Sequence, residues 1–374
     1  MKKNKFLFLS ALCAMMAMFF VACDNDDDPT PEPIPDPESG KTAGLYILNS
    51  GKYKANNATL DYYDFETKTL TQKVFSTVNG RGLGDTANDM LVYGSKMYIA
   101  IDVSNTIEIT DLDGKSLNTI APKDESGQPQ SPRYLAAYEG KVYVTLFDGH
   151  LACIDTTTME ITQKVKVGPN PYQVCLVGNK LYVANSGGYN PVKDSTLSVV
   201  DPVTFTEEKK VVVGLNPQSV KADGQGNLYV LCAGNFGDVK ASVMQYNIDK
   251  GTSTALYSND NLIISMNSDT LYVISSESNE STGWVTANSK FITYDAKTSK
   301  EITDNFITDG TNVEKPYCLN VDSRGTIYVG TSDYTNTGDM FIFSSEGVLT
   351  GKIAVSGINP VKACFVERYV SEED

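Results

Sequence analysis

The chain has few of the residues on which most enzyme chemistry depends. It contains one histidine, His150, and one tryptophan, Trp284, among 374 residues. A zinc site built from several histidines is therefore excluded, and any nucleophile activated by a histidine would have to use His150. His150 follows Asp148-Gly149, a pair typical of a tight hairpin, so we predict a solvated turn position for it. The sequence also has no phosphate-binding glycine loop, no G-x-G-x-x-G motif and no calcium loop.

The cysteines form no recognisable metal or redox motif. Five of them lie in strand-like segments of five different repeats, namely Cys153, Cys175, Cys232, Cys318 and Cys364. Their spacing matches neither a zinc site nor a redox pair. We therefore predict small buried hydrophobic side chains, no resident metal, no cofactor and no enzyme activity.

The N-terminus has the pattern of an exported lipoprotein. Three lysines precede an apolar segment over residues 6–22, which predicts a signal peptide over residues 1–22. A membrane-spanning helix is the alternative, but about 17 apolar residues is near the lower limit for a span. The segment ends Phe20-Val21-Ala22-Cys23, which resembles a bacterial lipobox and predicts a lipidated Cys23. The following acidic and proline-rich residues predict a stiff tether over residues 23–40.

The charge of the chain is strongly acidic. The full sequence has a formal charge of −15, and removal of the leader leaves 28 basic and 46 acidic residues. Seven of the acids belong to the tether, and residues 371–374 form an acidic tail. Such a surface repels nucleic acid and anionic lipid, so we predict no nucleic-acid partner and membrane contact through the lipid alone.

A short phrase of β-branched and aromatic residues returns seven times and predicts the architecture. Each copy follows a turn and contains one tyrosine, at intervals of 39–56 residues. The seven repeat tyrosines are Tyr46, Tyr98, Tyr143, Tyr182, Tyr229, Tyr272 and Tyr328. Units of this length with four candidate strands each indicate an all-β fold, a seven-bladed β-propeller of four-stranded blades.

The two ends of the repeat region complement each other. The first unit begins directly at Tyr46, without the Asn-Pro type of strand that opens later units. A strand of that type, Asn359–Val366, follows the last unit with no partner after it. We therefore predict a propeller over residues 41–370 in which the C-terminal strand completes the first blade and leaves no open edge between blades.

The loops on one face of the predicted ring are rich in asparagine and aromatic residues. In a propeller, the loops between second and third strands share a face with those that enter each first strand. Aromatic rings and amides that converge on a concavity are typical of a site for a large, polar, uncharged ligand. The candidate ligand-binding residues are Arg81, Asn88, Arg133, Tyr134, Tyr172, Asn185, Gln218, Phe236, Trp284, Tyr317 and Tyr334.

The repeated L-Y-V-A-N phrase with its Asn-Pro entry, clearest in Asn170–Asn185, resembles the YVTN-type seven-bladed propellers. The lipobox and the acidic run at Asp24–Asp28 are similar to those of Bacteroidetes surface lipoproteins. Within that group the chain resembles the cobalamin-capturing BtuG family. This resemblance implies a surface-exposed, lipid-anchored protein of the outer membrane that captures vitamin B12. It would pass the vitamin to a TonB-dependent transporter, with cobalamin as ligand rather than cofactor.

Two other functions stay open at this point. A glycan- or protein-binding propeller would use Trp284 and the tyrosines to stack on sugar rings or side chains. A lactonase-like enzyme would need a carboxylate cluster or a general base near the axis, for which Asp89, Asp102 and Asp333 are the available residues.

The N-terminal pattern gives a direct test of cellular location. Cys23→Ala should release the protein from membranes, because the lipid is the predicted anchor. Replacement of Asp24 and Asp26–Asp28 by alanine should leave the protein lipidated but inaccessible to external protease. Membrane fractionation and protease treatment of intact cells measure both effects. A wild-type protein that resists the protease would contradict surface display.

Overall fold

The computed structural model describes residues 41–278 and 286–368. The predicted signal peptide, the tether with Cys23, the loop residue Trp284 and the acidic tail lie outside these residues. Within them the fold consists of seven four-stranded antiparallel sheets and one short helix, α1, at Val74–Asn79. The predicted all-β, seven-bladed propeller is therefore confirmed.

Blade 1 combines the two ends of the described chain, and each later blade uses four consecutive strands. Blades 1 to 3 contain the following strands: β1 Lys41–Asn49, β2 Thr59–Asp64 and β3 Thr69–Thr71 with β28 Pro360–Arg368; β4 Ala87–Tyr93, β5 Lys96–Ile101, β6 Thr106–Asp111 and β7 Ser116–Ile120; β8 Pro132–Tyr138, β9 Lys141–Leu146, β10 His150–Asp155 and β11 Glu160–Lys166.

Blades 4 to 7 repeat this order from the axis outwards. Their strands are β12 Pro171–Val177, β13 Lys180–Asn185, β14 Thr196–Asp201 and β15 Thr206–Val212; β16 Pro217–Ala222, β17 Asn227–Cys232, β18 Ala241–Asn247 and β19 Thr252–Asn259; β20 Asn261–Asn267, β21 Thr270–Glu277, β22 Ala287–Asp295 and β23 Lys300–Thr303; β24 Pro316–Val321, β25 Ile327–Thr331, β26 Asp339–Phe343 and β27 Leu349–Ala354. The first strands of neighbouring blades contact one another and surround the axis.

The core of the molecule lies between the blades. Each hydrophobic cluster combines residues from two adjacent blades, and each contains one of the buried repeat tyrosines. The Tyr229 hydroxyl donates a hydrogen bond of 2.7 Å to the Ala296 carbonyl of the next blade. Tyr46 makes the equivalent contact with the Leu112 carbonyl. The repeated tyrosine therefore joins successive blades by an apolar ring and a polar tip.

The Asn-Pro entry has a backbone cause. The residue before the first strand has a φ of +48° to +60° in six blades, at Thr86, Ser131, Asn170, Asn216, Lys315 and Asn359. Asparagine tolerates this left-handed conformation better than most residues. Its carbonyl then accepts a hydrogen bond from the residue after the second strand, as from Ala233 to Asn216 at 2.8 Å. The Asn216 amide adds a bond to the Gly234 carbonyl.

The closing strand β28 pairs with β1 along its length, with Leu45 opposite Phe365 and Ile47 opposite Ala363. The loop before β28 is held as well, because the Ser356 amide donates to the Asp61 carboxylate at 2.7 Å. The predicted completion of blade 1 by the C-terminal strand is confirmed. Since β28 lies at the axis, it also contacts β4 and β24 of the two neighbouring blades.

Removal of the closing strand should destabilise the ring severely. Truncation before Asn359 exposes the β1 edge and the cores on both sides of blade 1, so the free energy of unfolding should fall by more than about 4 kcal/mol. Deletion of Thr30–Glu38 is the control and should change it by less than about 0.5 kcal/mol. Thermal and urea unfolding measure both variants. A truncated protein that melts with the full chain would show that β28 does not hold the ring closed.

Candidate functional site

The first strands of the seven blades enclose a cavity of about 440 Å³ on the axis. The third residue of every first strand lines this cavity, and we call these residues the inner ring. They are Asp89, Tyr134, Gln173, Ser219, Ile263, Cys318 and Lys362. A sevenfold arrangement therefore places seven different side chains at one level of the axis.

Two inner-ring side chains, Asp89 and Gln173, also satisfy the edges of neighbouring first strands. Each first strand presents one edge to the axis, where it has no further strand to pair with. The Leu135 amide donates to the Asp89 carboxylate at 3.0 Å, and the Val220 amide donates to Gln173 Oε1 at 2.9 Å. A carboxylate or amide from one blade thus completes the strand edge of the next, which fixes these side chains rigidly.

Two tyrosine pairs lie at the mouth of the cavity. The rings of Tyr134 and Tyr172 are 5.6 Å apart, and those of Tyr317 and Tyr334 are 5.5 Å apart with their planes at 88°. Burial raises the pKa of all four phenols above its ordinary value. They therefore remain neutral hydrogen-bond donors throughout the physiological pH range.

Arg133 is held between two aromatic rings beside this mouth. Its guanidinium carbon lies 4.7 Å from the ring centres of both Phe147 and Tyr172, and it pairs with the Asp102 carboxylate. Burial alone would lower the pKa of Arg133, but Tyr172 and Asp102 outweigh it and raise the pKa. Its Nε has no hydrogen-bond partner within the described residues. Arg133 therefore stiffens the wall of the mouth with a fixed positive charge.

The polar side chains of the mouth keep spare hydrogen-bonding capacity. The Asn88 Nδ2 is buried and finds no acceptor in the described part of the chain. Gln218 makes a 3.3 Å bond to Asn216, and Asn261 also lines the cavity. An unpaired buried donor costs free energy, so a rotation of Asn88 that brings its Nδ2 to a bound acceptor would be favourable.

Three charged residues lie in the cavity. Lys362 Nζ is 3.0 Å from the Asp89 carboxylate, which raises the pKa of Lys362 although burial would lower it. Lys221, from β16, has no carboxylate at ion-pair distance among residues 41–278 and 286–368. Burial, and then repulsion by Lys362, lower the pKa of Lys221 to about 8. The cavity therefore contains one more positive than negative charge.

The structure brings seven of the candidate residues together. Asn88, Tyr134, Gln218, Tyr317 and Tyr334 line the cavity, and Arg133 and Tyr172 pack beside it. Trp284 lies outside the described residues.

Three other candidates lie away from the cavity. Arg81 binds the buried Glu108 at 2.8 Å and stacks on Phe75. Phe236 is 69% exposed on its own loop. Asn185 is fully buried, and its amide is occupied by Gly168, Thr196 and Ser198. The physical reason is the same for Arg81 and Asn185: neighbouring groups of the blade already use their polar atoms.

The sequence analysis missed the charged and amide members at the axis, namely Lys221, Lys362 and Gln173. It searched the loops, whereas these side chains belong to the strands. The signal was nevertheless present, because an alignment of the first strands on their leading proline places Gln173 and Lys362 at the same position as Tyr134.

The remaining reactive residues are separate from one another. His150 contacts Asp148 in its hairpin at 3.0 Å. Asp102 pairs with Arg133, and backbone and side-chain bonds from Asn336 lower the pKa of Asp333 to about 2. The structure contains no group of three or more metal-ligating side chains in its described ranges. The five cysteines there are free thiols, three of them buried.

The chain belongs to a family described as a domain of unknown function, DUF5074, whose model matches residues 43–334. No curated protein matches it. Residues 41–278 and 286–368 include no helix long and apolar enough to cross a membrane.

Solved propellers are similar to this chain in fold. A quinonprotein alcohol dehydrogenase-like protein of Bacteroides thetaiotaomicron superposes with a TM-score of 0.60 at 18% identity, covering 87% of this chain and 78% of that chain. Hydrazine synthase of Kuenenia stuttgartiensis gives 0.58 at 14% identity, covering 74% and 94%. The computationally designed Ika8 protein gives 0.53 at 12% identity, covering 86% and 90%. At these identities the similarity shows a shared fold. It carries no information about function.

The charge on Lys221 should destabilise the fold. The pKa of Lys221 is about 8 in the folded chain, against an ordinary value of 10.5. Between pH 8 and pH 10.5 the lysine is therefore protonated in the unfolded chain and neutral in the folded one. In that range the free energy of unfolding rises with pH. Below pH 8 Lys221 is charged in the folded chain as well, so the full cost of burying its charge reduces the free energy of unfolding. Lys221→Met should therefore raise the free energy of unfolding at pH 7 by on the order of 1–3 kcal/mol. Urea unfolding at pH 7 and pH 10 should show a gain that shrinks at the higher pH.

The control for this prediction is Lys250→Met, an exposed lysine of the same blade. It removes the same charge without changing the cavity and should leave stability nearly unchanged. A Lys221→Met protein that is less stable than wild type at pH 7 would contradict the expected penalty.

Proposed function

We propose that this protein is a binding protein that captures a cobalamin at the mouth of its axial cavity. The observation that supports the proposal best is the convergence of neutral phenols and amides from six blades, including the unsatisfied Asn88 donor. A corrinoid is a broad disc rimmed with amide groups. Phenols and amides can bond to that rim, and aromatic rings can cover its apolar edges.

The size of the cavity limits how such a ligand can bind. A space of about 440 Å³ is smaller than a corrinoid, so the disc has to lie across the mouth while its side chains enter. Exposed aromatic residues stand on the loops between second and third strands, namely Tyr53, Tyr189, Phe236 and Tyr334. Tyr189 packs edge-on against Phe147, which continues the stack formed by Arg133 and Tyr172 towards the axis. An aromatic path from loop to axis suits a wide ligand.

Rigidity of the site favours tight capture. Asp89 and Gln173 are fixed by hydrogen bonds from the Leu135 and Val220 amides of the next blade, and Arg133 is packed between two rings. Binding to fixed side chains avoids much of the entropy loss that a mobile site would suffer. We propose binding without catalysis, since Asp89, the one carboxylate among the cavity-lining residues that the structure describes, is occupied by Lys362.

The cellular part of the proposal rests on the N-terminal sequence. The apolar segment, Cys23 and the acidic run that follows support export, lipidation and display on the outer membrane. A surface protein that holds a scarce vitamin requires a route inward. A TonB-dependent transporter is the proposed partner.

A glycan- or protein-binding role is the second candidate. The observation that favours it is the exposure of Tyr189 and Phe236, at 90% and 69%, on loops that do not line the axial cavity. Exposed aromatic residues on loops are typical of surfaces that contact sugars or other proteins.

Calorimetry with cyanocobalamin tests the proposal. We expect one-to-one binding to the ring. Tyr134→Phe and Tyr317→Phe should each weaken it by about 0.5–1.5 kcal/mol, because each change removes a hydroxyl donor and keeps the ring. Trp284→Ala should cost on the order of 1–3 kcal/mol, because a large aromatic anchor on the candidate binding face is lost.

The matched control is Tyr138→Phe, which lies on the same strand as Tyr134 but at its opposite end. Its hydroxyl contacts Asn179 outside the cavity, so binding should not change. Absence of heat at micromolar concentrations would reject a corrinoid ligand and leave the glycan or protein role as the better explanation.

A further inference from the structure

The axial cavity concentrates positive charge inside an acidic protein. The three ionised side chains that line it are Asp89, Lys221 and Lys362. Asp89 neutralises Lys362 at 3.0 Å, which leaves the ammonium of Lys221 uncompensated among the described residues. Lys221 is half-buried, and an unpaired charge that is partly removed from water is unfavourable. A negative group bound in the cavity would compensate it.

The two lysines approach the cavity from different blades. Lys221 belongs to β16 of blade 5, and Lys362 belongs to β28 of blade 1. Both side chains line the same cavity, and repulsion by Lys362 adds to the effect of burial in lowering the pKa of Lys221. Like charges held together are unfavourable in an empty site. A shared anion between them would turn this repulsion into attraction.

A third donor lies in the same cavity. The Asn88 Nδ2 is buried and has no acceptor in the described chain, and Asn88 neighbours Asp89 on β4. The arrangement therefore offers two ammonium groups to a single occupant, and one amide N–H group once the Asn88 side chain rotates towards it. Oxygen atoms with negative charge accept such bonds best, because charge-assisted hydrogen bonds are about twice as strong as neutral ones.

We propose that the axial cavity binds an oxyanion, a phosphate or carboxylate group, held by Lys221 and Lys362 with Asn88 as the third donor. The inference goes beyond the proposed function, since the earlier site was expected to take an uncharged ligand. It also does not require that function. A cobalamin carries one phosphodiester group, so the two proposals are compatible, but inorganic phosphate contains no corrin and tests the oxyanion site alone.

The charge distribution makes the site selective. The propeller carries an excess of acidic residues, so its outer surface repels free anions at long range. Inside the cavity the net charge is positive, because two lysines and one aspartate line it. An isolated anion therefore meets a barrier at the surface and attraction at the axis. An anionic group carried on a larger neutral ligand gains further contacts at the mouth, and these offset the repulsion.

Calorimetry with inorganic phosphate at low ionic strength tests the inference, followed by a second titration with acetate. Wild type should bind phosphate one-to-one at millimolar concentrations. Lys221→Met should weaken binding by about tenfold or more, in line with the loss of one charge-assisted bond. Lys250→Met, the exposed control, should bind as wild type does. Acetate binding would extend the site to carboxylates, and phosphate binding alone would restrict it to phosphates; both results support an oxyanion site.

A second variant is expected to strengthen phosphate binding, which a misfolded protein would not do. Asp89→Asn keeps an acceptor for the Leu135 amide but frees Lys362 from its ion pair. It should tighten phosphate binding several-fold. Absence of phosphate binding to wild type, an unchanged affinity in Lys221→Met, or weaker binding in a folded Asp89→Asn protein would each overturn the proposal.

Discussion

The structure depends on how the first strands of the blades satisfy their free edges at the axis. Seven such edges converge there, and buried backbone amides have to find acceptors. Side chains of the preceding blade provide them, as Asp89 does for Leu135, Gln173 for Val220 and Asn320 for Ala363. Closure of a ring by this means makes its axis polar, so the same requirement that stabilises the fold also equips the cavity for binding.

The two charged residues Lys221 and Asp89 have different effects on the stability of the ring. A hydrophobic residue in place of Lys221 would fit the surroundings, which include free thiols such as Cys175 and Cys318. Proteins commonly keep destabilising polar groups where binding needs them, since selection acts on function above a stability threshold. Asp89 has the opposite character, because it is bound on both sides and serves the ring. Lys221 therefore destabilises the ring, whereas Asp89 stabilises it.

Much of the fold was predictable because its signals are local. The tyrosine phrase, the turns before it and the left-handed residue before each proline all act within a few positions, so blade number and strand order followed from them. The site was less predictable, because its residues meet across blades. Tyr134 and Tyr317, for example, belong to distant repeats. No local pattern reveals that the side-chain amide of Asn185 is already hydrogen-bonded to Gly168, Thr196 and Ser198. The asparagine-rich loops indicated a binding site, but several of the asparagine side chains form hydrogen bonds that stabilise the loops themselves.

Closure by β28 also has a kinetic consequence. Its contacts with β1 join residues about three hundred positions apart, and contacts of that separation form late because loop closure has to come first. Until then β1 presents a nine-residue edge with unpaired backbone groups. The β28 strand of another copy has the same sequence and fits the same edge. At high concentration during refolding, exchange of β28 between two chains competes with ring closure and produces domain-swapped dimers.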